Sequence, residues 1–239
     1  MTSVVLIGGG RMGSLVRARL EEVGGFELLG TYDVSNAAEL DGAAPAADLA
    51  IDFSNKAALP HVLAYVRRTG AALLSGTTGF SDAELDELRA LGEATRVVHS
   101  ANYSLGVAVL RRMCAEAARA LGDWDAEVVE THHNQKADAP SGTAKLLLEA
   151  IDPAGEAPVA YGREGMVGAR PAGEVGMHSL RGGTVAGTHE VHFFGPDEEV
   201  CLTHRATSRQ IFVNGALAAA QKLVVRDPGF YTFDQVMFA

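Results

Sequence analysis

Apolar positions in the first hundred residues follow two different periods. Short apolar runs predict buried strands at 3–7, 27–32, 47–53, 71–75 and 96–99. Stretches with apolar residues three and four positions apart predict helices at 14–23, 59–69 and 81–91, the last with Ser81 as its N-cap and Glu84 in the capping-box position. Strands that alternate with helices indicate an α/β fold with a Rossmann-type, doubly wound parallel sheet.

The pattern changes after residue 104. A long helix is predicted at 106–121, a strand at 126–130, and a second helix at 143–151 after a polar loop. Short β-like runs separated by glycine and proline follow between 176 and 212, for example 190–194 and 199–206, and predict an antiparallel sheet. We therefore expect a dinucleotide-binding domain at 1–104 and a second α+β domain at 105–212. By its pattern alone, the segment 213–239 could belong to either.

Composition excludes several classes of protein. The chain is 47% hydrophobic and 21% charged, as folded α/β proteins are, and its net charge of −10 with no basic stripe argues against nucleic acid as a partner. There is no basic leader and no apolar run of membrane-spanning length, so we expect a soluble, unprocessed protein without a membrane partner. The two cysteines, Cys114 and Cys201, suit a reducing cytoplasm and are expected to be small core residues.

A glycine-rich segment directly follows the first predicted strand and opens the first predicted helix. It matches G-x-G-x-x-G and consists of Gly8, Gly9, Gly10, Arg11, Met12 and Gly13. The first glycine permits a tight turn, the second lets the backbone approach a pyrophosphate, and the third lets helix and strand pack closely. Asp33 ends the second strand, where a dinucleotide site needs a carboxylate for the adenosine ribose. The alternative is a glycine turn that binds nothing.

Two further segments lie at the carboxyl ends of predicted strands, where ligands bind in such folds. The fourth strand is followed by Gly76, Thr77, Thr78 and Gly79, and the fifth by Ser100, Ala101, Asn102 and Tyr103. Glycines and hydroxyls could bring backbone and side chains close to a ligand. Both segments could equally be plain turns.

The densest polar cluster runs from Glu130 to Thr143, between a strand and a helix. His132 and Lys136 are four residues apart and share a side in either an extended or a helical backbone, so they form a candidate proton-transfer pair. The helix start at Ser141, Gly142 and Thr143 offers backbone N–H groups and hydroxyls to a carboxylate. The alternative is a solvated loop in which Ser141 is an ordinary cap.

Metal binding is the obvious alternative for a chain with eight histidines. His189 and His192 are three apart on a predicted strand and would lie on opposite faces, so no ligand set emerges from the spacing. We therefore expect no metal site. Four histidines are expected on the surface of the sheet or at its seams, namely His178, His189, His192 and His204.

Taken together, these segments resemble the 4-hydroxy-tetrahydrodipicolinate (dihydrodipicolinate) reductase family over nearly the whole chain. The most specific match is HHNQKADAPSGTA at 132–144, with its paired histidines, lysine and D-A-P-S-G-T. Other similar segments are IDFS at 51–54, GTTGF at 76–80, ANYSLGV at 101–107, HSLRGGTVAGTHEVHFFG at 178–195, and GALAAA and GFYTFDQV near the end. One departure is Ile7, which stands where the family's G-x-x-G-x-x-G loop often has its first glycine.

The resemblance implies reduction of a cyclic unsaturated imine dicarboxylate to tetrahydrodipicolinate in diaminopimelate and lysine biosynthesis. Lys136 would be the principal proton donor and His132 a donor or acceptor, while His133, Gly142 and Thr143 would bind the substrate carboxylate. The glycine loop, Asp33 and the segments 76–78 and 100–103 would line a nicotinamide cofactor. Family architecture would return 213–239 to the first domain and give the second an open mixed sheet that assembles a homotetramer.

The surroundings of Asp33 predict a preference for NADH over NADPH. A carboxylate there repels the 2′-phosphate, and no Lys or Arg occurs among the five residues that follow it. Arg11 is the one nearby cation that could compensate and let NADPH bind as well.

Two other functions are compatible with the first domain. A related two-lobe dehydrogenase of an amino acid or a sugar would have the same Rossmann half. A regulatory protein that senses NAD without turnover would need no convergence of His132 and Lys136. The loop at 132–143 favours the reductase over both.

Overall fold

The computed structural model describes residues 1–239. The chain forms two compact units, one made of Met1–Ser104 and Gln210–Ala239 and the other of Leu105–Arg209. None of its helices combines the length and the apolar character needed to cross a bilayer.

The helices and strands follow one another in three segments of the chain. Up to Ser104 they are β1 (Thr2–Ile7), α1 (Arg11–Glu22), β2 (Phe26–Tyr32), β3 (Leu49–Asp52), α2 (Leu59–Thr69), β4 (Ala72–Ser75), α3 (Asp82–Leu91) and β5 (Arg96–His99). The second unit holds α4 (Leu105–Leu121), β6 (Asp125–His132), α5 (Gly142–Ile151), β7 (Val159–Ala160), β8 (Val175–Arg181), β9 (Gly187–Gly195) and β10 (Glu198–Ala206). The chain ends with α6 (Gln210–Leu223), β11 (Gly229–Tyr231) and α7 (Phe233–Phe238).

The first unit is built on a six-stranded sheet in the order β11-β5-β4-β3-β1-β2, in which every neighbouring pair is parallel. The predicted doubly wound sheet is therefore confirmed. Every residue of the central strands β3 and β4 is buried, as expected where helices cover both faces of a parallel sheet. The edge strand β11 was not predicted, because three residues are too few to show a period.

Local signals place the ends of several helices in this unit. Ser81 caps α3 with the full capping box, as predicted. Helix α2 has Pro60 in its first turn and ends at Gly70, whose φ of 69° is left-handed. Helix α1 begins at Arg11, three residues before the predicted start, so that Gly10 is its N-cap and the glycine-rich segment runs into its first turn.

The second unit is built on a five-stranded sheet in the order β10-β9-β6-β8-β7. Strand β9 pairs in antiparallel fashion with both β10 and β6, but β8 is parallel to both β6 and β7. The antiparallel sheet predicted from the short runs is therefore wrong for β8, whereas the mixed sheet implied by the family resemblance is confirmed. The long connection from β6, which includes α5, allows the chain to return in the same direction. The predicted β region also ends too late, because α6 begins at Gln210.

One face of this sheet is buried, and alternation decides which residues lie on it. In β6 the buried positions are Ala126, Val128, Glu130 and His132, and in β9 they include His189, Val191 and Phe193. The apolar members pack with residues of α4 and α5 in one core. The same face then continues into charged and polar side chains at the carboxyl end of β6.

The two cysteines differ in environment. Cys114 is buried, as predicted, and burial raises the pKa of its thiol to about 12. Cys201 is exposed, contrary to the prediction of a core residue. The alternation of β10 turns Val200 and Leu202 towards the core and leaves Cys201 on the outward face.

Candidate active site

The glycine-rich segment forms a turn that side chains could not occupy. Gly8 has a φ of +119°, and a Cβ there would lie 2.4 Å from the carbonyl oxygen of Phe53. A Cβ on Gly13 would lie 1.8 Å from the carbonyl oxygen of Gly8, so the first turn of α1 packs directly on the backbone after β1. A Cβ on Gly10 would meet no atom within 4 Å. The first and third glycines therefore allow close packing, and the second faces open space.

A cavity of about 490 Å³ lies against this turn. Gly8, Gly9, Gly10 and Asp33 line it together with residues after β3, namely Phe53, Ser54, Asn55, Ala57 and Ala58. It thus combines a helix N-terminus, a close backbone approach and a carboxylate, which are the parts that hold a dinucleotide pyrophosphate and ribose. Ile7, the departure from the family loop, is the buried last residue of β1 and also lines the cavity.

Asp33 is held in place by the turn that follows β2. Its Oδ1 accepts hydrogen bonds from the Ser35 backbone N–H at 2.8 Å and from the Ser35 hydroxyl at 2.6 Å. These bonds lower the pKa of the Asp33 carboxyl. Asp33 therefore presents an ionised carboxylate to the cavity, with its Oδ2 directed towards Gly9.

Asp52, at the end of β3, organises the neighbouring strand ends. This fully buried carboxyl accepts hydrogen bonds from the Ser54 hydroxyl, the Ser54 backbone N–H and the Ser75 hydroxyl, at 2.5, 3.1 and 2.9 Å. Burial raises its pKa, and the hydroxyl donors, including Thr77, offset only part of that effect. The network gives the end of β3 and the turn after β4 a common support, which local patterns did not reveal.

The turn after β4 has one buried and one exposed threonine. Thr77 is buried, and its hydroxyl accepts a hydrogen bond from the Ser54 backbone at 3.1 Å. Thr78 is exposed. A Cβ on Gly76 would lie 2.1 Å from the ring of Phe53, so the backbone packs against that ring.

The segment after β5 is only partly open to a ligand. Ala101 is exposed, and Ser100 and Asn102 are half-buried. Tyr103 is 2% exposed, and its hydroxyl donates to the backbone oxygens of Ser75 and Val98. The Tyr103 side chain is therefore part of the core of the first unit, and only its neighbours face outward.

In the second unit, His132 forms the end of β6 and is buried beside Glu130. His132 Nδ1 and Glu130 Oε2 are joined by a hydrogen bond. Burial lowers the pKa of His132, and Glu130 counteracts this in part, while the nearby charges of Lys136 and Arg181 lower it further. Lys136 is thus close enough to act on His132 electrostatically.

The segment from 133 to 141 is an irregular turn, neither extended nor helical. His132 and Lys136 are therefore not placed by the period of an extended or a helical backbone. The Lys136 backbone donates to the carbonyl of His133 at 3.1 Å, and its Nζ donates to Asp138 Oδ1 at 2.8 Å. Side-chain and backbone bonds within the turn hold the lysine.

Ser141 caps α5 and is also tied to the core face of the sheet. Its Oγ accepts from the Ala144 backbone N–H at 3.1 Å and lies 3.2 Å from His189 Nε2, and its own N–H donates to Glu130 Oε1 at 3.2 Å. Gly142 is exposed and Thr143 half-buried in the first turn of the helix. Ser141 is therefore a cap with buried partners, and Gly142 and Thr143 form the open helix start.

The structure adds Arg209, Arg181, Glu130 and His189 to the residues expected at this site. Arg209 Nη2 lies 3.3 Å from His133 Nε2, and Arg181 donates to Glu130 at 2.7 Å. Glu130 and His189 could have been found from the sequence, since each continues a period of two with buried apolar residues, at 126 and 128 or at 191 and 193. His189 is 4% exposed, so its predicted place at the surface or seam of the sheet is wrong.

Folding also produces two groups of side chains with metal-ligand spacing, which the sequence spacing did not predict. One is Glu130, His132 and His189, and the other is His192, Glu199 and Cys201. In the first group both carboxylate oxygens already accept hydrogen bonds, including one from the cation of Arg181. That arrangement suits an ion pair better than a divalent cation.

Two family models together match almost the whole chain. Dihydrodipicolinate reductase, N-terminus, matches residues 2–103, and dihydrodipicolinate reductase, C-terminus, matches residues 106–237. The chain belongs to the dihydrodipicolinate reductase family. The predicted family resemblance is thereby confirmed, and the chain is an NAD(P)H-dependent oxidoreductase.

Individual relatives agree with the family models. The chain is 42% identical over 243 residues to 4-hydroxy-tetrahydrodipicolinate reductase of Akkermansia muciniphila, with 99% of this chain and 98% of that protein covered. It is 41% identical over 246 residues to the reductase of Staphylococcus aureus strain Newman, with 98% and 99% covered. The family relationship therefore extends over the full length of these reductases.

Solved structures show the same fold. A dipicolinate-bound dihydrodipicolinate reductase from Paenisporosarcina sp. TG-14 matches with a TM-score of 0.80 at 21% identity and complete coverage of both chains. Myo-inositol 2-dehydrogenase from Lactobacillus plantarum matches with a TM-score of 0.60 at 13% identity, over 98% of this chain and 93% of that one. Reductases of this family thus share their fold with a dehydrogenase named for another substrate.

Proposed function

We propose that the chain reduces 4-hydroxy-tetrahydrodipicolinate, via dihydrodipicolinate, to tetrahydrodipicolinate, as a step of diaminopimelate and lysine biosynthesis. The observation that carries the proposal is the second unit's cluster of His132, Lys136 and the open start of α5 around one loop. It supplies a proton-transfer group, a cation and an anion site together. The relatives from Akkermansia and Staphylococcus are named for reduction of this substrate, which supports the same assignment.

The first unit is assigned to the cofactor. Gly8 to Gly13 would hold the pyrophosphate, Asp33 the adenosine ribose, and the exposed parts of 76–78 and 100–103 the remainder. The fit rests on the cavity beside Gly10 and on the close packing that only glycine allows at positions 8 and 13. When bound, the nicotinamide supplies the hydride. The carboxylate of Asp33 favours NADH, and Arg11 is the cation that could let NADPH bind as well.

Lys136 is assigned as the principal proton donor. Hydride addition to an unsaturated imine builds negative charge on the ring, and a fixed ammonium group beside it stabilises the transition state more than the ground state. His132 has a lowered pKa because it is buried, so its neutral ring is suited to accept or relay a proton. Asp138 keeps the lysine in place through the 2.8 Å ion pair.

The substrate carboxylates are assigned to the start of α5 and to His133 with its neighbouring guanidinium. Ser141, Gly142 and Thr143 present the helix N-terminus, and His133 is paired with the Arg209 guanidinium at 3.3 Å. The dipicolinate in the Paenisporosarcina enzyme is a ring with two carboxylates, which agrees with such a site in this family.

We further propose that the enzyme is a cytoplasmic homotetramer. The outward face of the second unit's sheet carries large apolar side chains, with Leu180 49% and Phe194 40% exposed. Such a face is suited to pack against a second copy of the chain. Free rather than paired cysteines agree with a reducing compartment.

The direct test follows oxidation of NADH in the presence of freshly made product of the preceding synthase. The proposed reductase oxidises NADH only when that product is present, and then at catalytic rates. A dehydrogenase of sugars or amino acids would instead respond to those substrates. Binding of NADH without oxidation under any of these conditions would identify a sensor and contradict the proposal.

A further inference from the structure

Glu130 is the most highly connected buried charge in the second unit. It is fully buried, and both oxygens of its carboxylate accept hydrogen bonds. Oε2 pairs with His132 Nδ1, while Oε1 accepts from the Ser141 backbone at 3.2 Å and from Arg181 at 2.7 Å. Burial by itself raises the pKa of this carboxyl, but the hydrogen bonds from Arg181, Ser179 and His132 outweigh burial and lower it.

We propose that Glu130 is a positioning residue that orients the His132 ring and ties it to the start of α5. This inference rests on the proposed function, because it concerns how His132 and the carboxylate-binding turn are held in place relative to each other. One carboxylate bonds to both, so displacing either would break a bond to a buried charge. Such displacements are unfavourable in a low-dielectric interior.

The bond to Glu130 determines which ring nitrogen of His132 is left for the substrate. A carboxylate at Nδ1 requires that nitrogen to carry a proton, so Nε2 becomes the nitrogen that can exchange one. Nε2 lies beside Gly187, where a Cβ would be only 3.0 Å away. Gly187 thus leaves space at the nitrogen that Glu130 makes available.

The same carboxylate is connected to Lys136 through Arg181. Arg181 Nη2 donates both to Glu130 and to the backbone oxygen of Asp138, each at 2.7 Å. The Asp138 side chain in turn holds Lys136 Nζ at 2.8 Å. The hydrogen bonds of Arg181 and of the Asp138 side chain therefore connect Glu130, which supports His132, with Asp138, which supports Lys136.

His189 completes the support of the His132 ring. The two rings meet edge to face with centroids 5.1 Å apart, and His189 Nε2 lies 3.2 Å from Ser141 Oγ. Burial, together with the neighbouring His132, lowers the pKa of His189 to about 4. His189 is therefore neutral near pH 7 and adds no second positive charge beside Glu130.

The experiment compares Glu130→Gln with the parent enzyme. Glutamine keeps the shape but not the charge, so we expect kcat to fall by about 10- to 100-fold, the range typical for loss of the partner that orients a metal-binding histidine. KM should change less. The pKa of His132, measured by NMR of isotope-labelled histidine, should fall, because Glu130 stabilises the charged ring while Lys136 and Arg181 oppose it and His189 is neutral.

Glu127→Gln is the matched control. Glu127 lies on the opposite face of β6 and likewise accepts from arginines and from a histidine, namely Arg163, Arg170 and His178. We expect Glu127→Gln to leave the His132 signal and kcat unchanged. If both variants moved the His132 pKa equally, the effect would come from strand stability, and the positioning role would be wrong.

A double-mutant cycle separates positioning from a general structural effect. If Glu130 acts through His132, Glu130→Gln should reduce kcat far less in a His132→Gln background than in the parent. Equal losses in both backgrounds would overturn the proposal. If Glu130→Gln does not fold, Glu130→Asp keeps the negative charge but draws it back by one methylene, so a smaller decrease of the His132 pKa in the same direction is expected, and no decrease would overturn the proposal.

The NMR measurement also separates this inference from the proposed function. The pKa of His132 can be measured whether or not the enzyme reduces the proposed substrate. An unchanged pKa in an active enzyme would refute the positioning role alone. A changed pKa in a protein that does not reduce this substrate would refute the proposed function alone.

Discussion

Asp52 in the first unit and Glu130 in the second are both fully buried carboxyls near strand ends, yet their charge states are driven in opposite directions. Asp52 is surrounded by hydroxyl and amide donors, and burial raises its pKa. Glu130 faces a guanidinium and an imidazole, and these partners lower its pKa despite its burial. Neutral donors offset only part of the rise in pKa that burial causes in a carboxyl group. A nearby cation reverses that rise and lowers the pKa.

The difference extends to the two candidate sites. The first unit uses backbone approach at Gly8 to Gly13 and neutral hydroxyls, which suit the recognition of a cofactor. The second unit concentrates charge at Glu130, Arg181, Lys136 and Asp138, which suits proton transfer. Substitutions in the second unit should therefore change turnover and stability strongly, and side-chain changes in the first should change mainly cofactor affinity.

The largest effect is expected on turnover, from Lys136→Ala and His132→Ala. General acid–base groups typically contribute about 10² to 10⁴ in rate, so kcat should fall by that order while NADH affinity stays near the parent value. Steady-state kinetics together with fluorescence titration of NADH would measure both. Lys145→Ala, at an exposed lysine on α5, should retain parent kcat. Near-parent turnover in either active-site variant would contradict its assigned role.

The next effect is on stability, from Arg181→Met. Removing the cation leaves Glu130 as a poorly compensated buried charge, and breaking such a pair costs about 3 to 5 kcal/mol of unfolding free energy. Urea unfolding would measure it. Arg163→Met removes a more exposed partner of Glu127, which keeps its hydrogen bond to Arg170, so the expected loss is below about 1 kcal/mol. Similar losses of unfolding free energy in the two variants would show that the buried pair contributes no more to stability than the exposed one.

A smaller effect is expected on the binding of a dicarboxylate. Pyridine-2,6-dicarboxylate should inhibit competitively with substrate, and Thr143→Val should weaken that inhibition by about 1 to 3 kcal/mol, the usual range for hydrogen bonds to charged groups. Inhibition constants measured for the parent and the variant would give the difference. Thr131→Val, on the outward face of β6, serves as the control. Unchanged inhibition in Thr143→Val would show that the carboxylate does not bind at the start of α5.

The pH dependence of stability should have opposite signs for the two buried carboxyls. The folded-state pKa of Asp52 is raised, so its contribution to stability is lost as pH rises above the unfolded value of 3.8. The folded-state pKa of Glu130 is lowered, so its contribution is present above the unfolded value of 4.5 and is lost as pH falls through the folded value. A difference of one in pKa between the folded and unfolded states corresponds to about 1.4 kcal/mol.

Urea unfolding of the parent, Asp52→Asn and Glu130→Gln across this pH range would test these signs. The stability of the parent relative to Asp52→Asn should decrease with rising pH, and its stability relative to Glu130→Gln should decrease with falling pH. Slopes of the same sign would show that burial, rather than the partner, controls both groups.

The smallest effect is expected on cofactor choice. Asp33 is only half-buried, so solvent screens its repulsion of a 2′-phosphate, and the parent should favour NADH over NADPH by only about a few-fold. Asp33→Ala should reduce the ratio of kcat/KM for the two cofactors, whereas Asp86→Ala on α3 should not. A parent that favours NADPH, or a ratio that Asp33→Ala does not change, would show that Asp33 does not bind the adenosine ribose.

Particular residues show how far sequence-based prediction could go. The capping box at Ser81 and the cap at Ser141 are short-range signals within four residues, and both are present in the structure. The placement of Glu130 and His189 required knowing that the buried face of β6 and β9 continues past its apolar residues. A polar residue in phase with a core face is ambiguous until its partner is known, and Arg181 is 51 positions from Glu130.

The sequence by itself determined the family, because the motif at 132–144 and the other quoted segments resemble it. It also determined the parallel sheet of the first unit and the glycine turn, because these depend on local periodicity and on backbone conformations that few residues can adopt. Only the tertiary structure decided that β8 runs parallel to β6, that Cys201 faces outward, and that Glu130 joins His132, Ser141 and Arg181. Strand pairing and charge pairing join residues far apart in the chain, and their energies depend on burial and distance. Those quantities exist only once the chain has folded.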